Sequence, residues 1–121
     1  MIQSFTKEIM SQIGIIEMFN ICLEMLENII EAYENEDTAL ARKVYAMDEQ
    51  LNDYNNQVVK TLTPHINDEP ENLSKHLYLL SSVRKLERNG DLIKNIAEEI
   101  IFYVEALVLK HQGKNKKPDA I

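Results

Sequence analysis

The chain has 121 residues, a net charge of −7, 45% hydrophobic residues, three glycines, three prolines and no tryptophan. That length gives one domain with a thin core, and long stretches free of turn residues and of strand alternation exclude a sheet in favour of an all-α protein. The acidic balance excludes a nucleic-acid partner, which needs a basic face, and suits cations or metals better.

The first element is a helix over about 3–34. Phe5, Ile9, Ile13, Ile16, Phe19, Leu23, Leu26, Ile30 and Tyr33 recur at three and four, the period of one helix face. A second stripe, Ile15, Met18, Cys22, Met25, Ile29 and Ala32, runs beside it. A helix apolar on two sides exceeds what a small bundle covers, so the expectation is a partner outside these helices, a second copy or a neighbouring domain.

The polar break at Tyr33 to Asp37 ends with Asp37 placed to N-cap a second helix over about 38–63. Leu40, Val44, Met47, Leu51, Tyr54, Val58 and Leu62 form its single stripe, the kind an antiparallel bundle buries. Thr63-Pro64 reads as its end, with a polar loop from Pro64 to Pro70 that contains His65. Asp68 and Glu71 read as a capping pair around Pro70, opening a third helix over about 71–110.

Counting 100° per residue sorts that third helix. Leu79, Val83, Leu86, Ile93, Ala97, Ile100, Val104 and Leu107 fall on the core side, and Arg84, Glu87, Asp91, Asn95 and Glu98 on the opposite side. Residues 1–111 therefore read as an antiparallel three-helix bundle, and 112–121, basic and rich in Gly, Pro and polar residues, as a disordered tail. One cysteine cannot make an internal disulfide, the N-terminus lacks a signal-peptide layout, and no run approaches the ~20 apolar residues of a membrane span. A cytoplasmic chain without membrane insertion is the expectation.

The stretch Leu86 to Glu99, L-E-R-N-G-D-L-I-K-N-I-A-E-E, stands out. Glu87 and Asp91, four apart, repel on one helix face unless a cation or basic side chain lies between them, and Gly90 gives up roughly 1 kcal/mol of helix propensity in the same turn. Two unfavourable choices together suggest a site or a tight backbone contact. Asp48 and Asn52, four apart on the flank of the second helix, could complete a set of hard oxygen ligands with Glu87 and Asp91. A solvated, salt-bridged face with Arg84, Arg88 and Lys94 accounts for the same residues, and both readings stand at this point. His65, His76 and His111 read as solvated side chains, and none follows a Glu at the E-x-x-H spacing of di-iron bundles. Cys22 reads as packing, and the absence of any nucleophile, P-loop or dinucleotide motif argues against an enzyme.

The same stretch resembles the signature E-R-I-G-D…N-I-A-E of PhoU-type phosphate-uptake regulators. Arg84, the following I-I-F-Y-V-E and the earlier A-R-K-V-Y-A-M-D-E-Q-L-N extend the likeness from about Glu24 to His111. The resemblance implies one three-helix repeat of a usually two-repeat protein, most like the C-terminal half, so the uncovered stripe would pack on a missing second repeat or a homo-oligomer partner. It implies a cytoplasmic regulator of phosphate transport and phosphate-starvation signalling, acting on a phosphate ABC transporter and a sensor histidine kinase. It also implies a divalent metal or an iron or zinc cluster at Glu87, Asp91, Asp48 and Asn52. Asn52 stands where the family commonly has Asp, which removes one charged ligand, and Asn89 replaces the Ile of the signature. The alternative is a helical appendage of a sodium/phosphate cotransporter with no metal bound.

Overall fold

The computed structural model describes the backbone of residues 2–116 and the side chains of 7–113. It consists of helices joined by short turns: α1 (Ile2–Ile13), α2 (Ile15–Asn35), α3 (Thr38–Asp68), a single 3-10 turn (Pro70–Asn72) and α4 (Leu73–Lys116). The all-α bundle expected from the periodicity is the fold observed. α2, α3 and α4 form the bundle proper, with α3 running against the other two.

The core follows the stripes. Ile15, Met18, Met25, Ile29 and Ala32 of α2 meet Ala41, Val44, Leu51, Val58 and Leu62 of α3, and Val83, Leu86, Ile93, Ala97, Ile100 and Ile101 close it from α4. Burying such side chains stabilises by about 1.5–3 kcal/mol each, and this sets the relative rotation of the three helices. Leu107, expected in the core, is 37% exposed because it lies close to the end of the bundle.

The first helix is not continuous. Gly14 adopts a left-handed conformation, φ 73° and ψ 33°, and the chain turns by 55° there, so α1 leaves the line of α2 and packs Ile9 and Ile13 into the core. The turn is held by Gly14 N–H donating to the Met10 carbonyl at 3.1 Å, while the Gly14 carbonyl accepts from Met18 N–H at 3.0 Å. A Cβ at Gly14 would run into the Tyr54 ring of α3, so the bend and its packing both require glycine.

The second helix does not stop at Pro64. α3 continues through it to Asp68, where Glu69 N–H donates to the His65 carbonyl at 2.9 Å. Proline removes one ladder bond and crowds the carbonyl four residues back. Tertiary contacts across the proline oppose that cost: Ile66 packs on the core, His65 Nε2 lies 2.6 Å from Gln12 Oε1, and the His65 ring stacks on His76 with centroids 6.2 Å apart. His76 is therefore buried, not solvated as its position near a helix start had suggested.

Asp37 caps α3 as expected, its Oδ1 accepting from Leu40 N–H at 3.1 Å. The Asp68/Glu71 pair does not cap α4, because Asp68 is still helical. Glu69 instead opens the 3-10 turn, its carbonyl accepting from Asn72 N–H at 3.0 Å and its Oε2 from Asn72 Nδ2 at 2.8 Å. Helix α4 runs past the expected end near 110 to Lys116, and the rest of the tail expected to be disordered, 117–121, lies outside the described residues.

Candidate functional site

The Leu86–Glu99 stretch occupies the middle of α4, where it crosses α3 at Asp48 and Leu51. Gly90 points at α3: a Cβ there would stand 3.0 Å from Asp48 Oδ1 and collide with Leu51 Cδ1. The helix-weakening residue inside the signature is thus the point at which the α4 backbone meets α3 side chains. Above this contact, on the third side, the Cys22 thiol of α2 lies 3.6 Å from the Leu86 carbonyl and donates to it. Burial and the nearby Asp48 push the Cys22 pKa up, which keeps the thiol protonated and unreactive, in keeping with a packing role.

Asp48 is 2% exposed, so a carboxyl expected on the flank of its helix is inside the bundle. Desolvation raises its pKa first, Asp91 second and Glu87 further, against a lowering by Lys94, whose Nζ stands 3.8 Å from Asp48 Oδ2. Oδ1 of Asp48 finds no donor among the described residues. The neighbouring Asp91 carboxyl adds to the upward shift of the Asp48 pKa.

The four residues expected to form a ligand set are therefore partly assembled. Asp48, Asp91 and Glu87 feel one another across the α3/α4 contact, with Asp48 buried, Glu87 half-buried and Asp91 exposed. Asn52, one turn along α3, is half-buried. Carboxylate oxygens suit a hard cation. As folded, however, no group of three or more His, Cys, Asp or Glu side chains among the described residues is placed to hold a metal ion, and the Lys94 ammonium supplies the positive charge beside Asp48. By spacing along α4 alone, Lys94 belongs to a salt-bridged surface. Its pairing with a buried acid on another helix had no signal in the local spacing.

Beyond the contact, Arg84, Arg88, Asp91, Asn95 and Glu98 of α4 are exposed and charged or polar. The arrangement presents a charged helix face to solvent. No single helix among the described residues is long and apolar enough to cross a membrane.

Comparison with known proteins agrees with this placement. The PhoU domain model matches residues 15–100. The chain is 28% identical over 92 residues to the phosphate-specific transport system accessory protein PhoU homolog of Deinococcus radiodurans, covering 76% of this chain and 43% of that protein. It is 26% identical over 91 residues to the phosphate-specific transport system accessory protein PhoU of Escherichia coli, covering 75% and 38%. It is 31% identical over 77 residues to the PhoU homolog of Caulobacter vibrioides, covering 64% and 34%. The chain thus spans less than half the length of these curated relatives. No solved structure gives a significant match. With its signature stretch seated on α3 and the domain match spanning all three bundle helices, the chain belongs to the PhoU domain family.

Proposed function

We propose that this chain regulates phosphate transport on the cytoplasmic side by protein contact, with a phosphate ABC transporter and a sensor histidine kinase as the partners it addresses, and that it carries no catalytic step. The observation that supports the reading best is the geometry of the signature stretch. Its inner side is committed to holding α4 on α3 through Gly90 and Asp48, while the outer side of α4 there, Arg84, Arg88, Asp91 and Glu98, is an exposed charged face suited to recognition. The relatives' designation as accessory proteins of a transport system supports the same class of role.

No step of this reading runs through a metal: Lys94, 3.8 Å from Asp48 Oδ2, offsets part of the charge of the buried acid. A cation at Glu87, Asp91, Asp48 and Asn52 is a separate proposal supported by the donor chemistry. Metal content of the purified chain with and without Asp91→Ala tests it, and equal contents refute it.

The regulatory reading is tested in the source cells. Deleting the coding sequence is expected to raise phosphate uptake in phosphate-replete medium, and restoring the wild-type chain, but not Arg84→Glu/Arg88→Glu, to return it to the parental level. Uptake unchanged by the deletion refutes the reading.

A further inference from the structure

The solvent side of the first turns of α4 runs against the acidic character of the chain. From Leu73 to Arg88 the basic residues Lys75, Arg84, Lys85 and Arg88 stand against the single acid Glu87, in a sequence with 20 acidic and 13 basic residues. Arg84, Lys85 and Arg88 are exposed, and none of them forms an ion pair with a described residue. Glu87 and Asp91, the acids nearest to them along the helix, act on Asp48 across the α3 contact. Arg84 and Arg88, four apart, therefore repel on one helix face without an acid to relieve them.

These cations continue a line of leucines. Leu73, Leu77, Leu80, Arg84 and Arg88 follow one another at three or four residues, on a side of α4 turned away from the buried Val83 and Leu86. Leu73 is 44% exposed and Leu77 51%, while Leu80 is half-buried at the edge of the core. Leu77, Leu80, Ser81, Arg84, Lys85 and Arg88 line one shallow depression along the helix, so the apolar and basic parts form a single surface. It is a strip about 24 Å long, apolar at its first end and basic at its second.

Charge and shape together select the occupant. A nucleic acid needs a longer basic track than three neighbouring side chains. A lipid surface is broad, and an anionic one brought onto Leu73 and Leu77 also meets Asp68, Glu69 and Glu71, which lead into the same end of α4. A helix, about 10 Å across, covers the strip alone. Leucines four and three apart are the seam on which the apolar side of another helix packs, and the guanidinium forks of Arg84 and Arg88 match carboxylates along its edge.

We propose that this strip seats an amphipathic helix of a partner protein, its apolar side on Leu73, Leu77 and Leu80 and its carboxylates on Arg84, Lys85 and Arg88. The assignment rests on the reading of the chain as a contact regulator. Fluorescence anisotropy on the full chain tests it with two labelled helical peptides that share a leucine seam, one edged with Glu and the other with Lys. The Glu-edged peptide binds about tenfold or more tightly than the Lys-edged one, and added salt weakens it. Arg84→Glu/Arg88→Glu reverses the preference, and Leu77→Ser weakens the Glu-edged peptide about tenfold, with the helical circular dichroism of both variants unchanged. Equal binding of the two peptides overturns the proposal, as does binding indifferent to Leu77→Ser or to the charge reversal. Tighter binding to vesicles of phosphatidylglycerol and phosphatidylcholine than to the Glu-edged peptide overturns it too. Loss of peptide selectivity while uptake still responds to deletion of the coding sequence removes the strip alone, whereas selective binding with uptake unmoved by the deletion supports the strip and removes the regulatory reading.

Discussion

Gly90 of α4 and Asp48 of α3 approach so closely that a Cβ on the glycine would lie 3.0 Å from the buried carboxyl oxygen. Helix propensity alone would make Gly90→Ala stabilising by about 1 kcal/mol. The added methyl must instead displace Leu51, which has no exposed surface, and crowd Asp48. We expect a net loss of about 1–2 kcal/mol in urea unfolding at neutral pH. A gain would mean that α4 can retreat from α3 at little cost.

Asp48 predicts a pH dependence with a definite sign. Its folded pKa is raised above the ordinary 3.8 by burial, Asp91 and Glu87, partly offset by Lys94. The folded state therefore holds the proton more tightly, and stability from this group is greatest below its ordinary pKa. It falls as pH rises from there through the folded pKa, then levels. Asp48→Asn keeps the shape without the charge and is expected to be more stable than wild type at pH 7, by about 1 kcal/mol, with a flatter profile across the acidic range. Unfolding curves of both proteins from pH 4 to 8 decide it, and parallel profiles would show that the acid is not desolvated.

Two left-handed residues should respond in opposite directions. Glu36 ends α2 at φ 52° and ψ 41°, where glycine is at ease and a side chain costs about 1 kcal/mol. Glu36→Gly is expected to raise stability by roughly 0.5–1 kcal/mol. Gly14→Ala meets both a positive φ and the Tyr54 ring and should lower it by about 2 kcal/mol or more. Thermal unfolding of the two variants checks the pair.

Pro64 lies within α3. Pro64→Ala restores the missing N–H and relieves the crowding, so we expect stabilisation of about 1–3 kcal/mol with helical content kept or increased. If the helix ended at residue 63, the substitution would be neutral or slightly destabilising through a freer unfolded chain.

The sequence was most legible where one physical cause acts alone. The single stripe of α3 has one possible inward face, and Asp37 has one available role before a helix. The double stripe on α2 also carried real information: the structure buries Met18, Met25 and Ile29 and leaves Phe19, Leu23 and Ile30 in water. What escaped the periodicity was set by contacts across helices. The stripe of the first helix keeps phase through Gly14, so the bend shows only when Tyr54 fills the space beside it. Pro64 carries a local stop signal that the contacts of His65 and Ile66 override. For the candidate site, spacing found Glu87 and Asp91, but the face count set them away from the core. Burial of Asp48 and its pairing with Lys94 bring the acids together at the helix contact, and both depend on the crossing of α3 and α4, which no window along one helix encodes.

Helix α4 has 44 residues against 31 in α3, about 66 Å against about 46 Å of helix. The Arg42–Glu105 ion pair, with both side chains more than half exposed, marks where α3 stops accompanying it, and every described residue from 105 to 113 is exposed. Past that point the helix is a propagation of a structure nucleated inside the bundle, adding one backbone hydrogen bond per residue without tertiary support. Its amides should accordingly exchange with solvent through local fraying, orders of magnitude faster than those near Gly90, and the helical signal should decline with temperature before the bundle itself unfolds. One continuous helix thus contains two cooperative regimes, a segment as stable as the whole domain and a segment governed by helix–coil equilibrium.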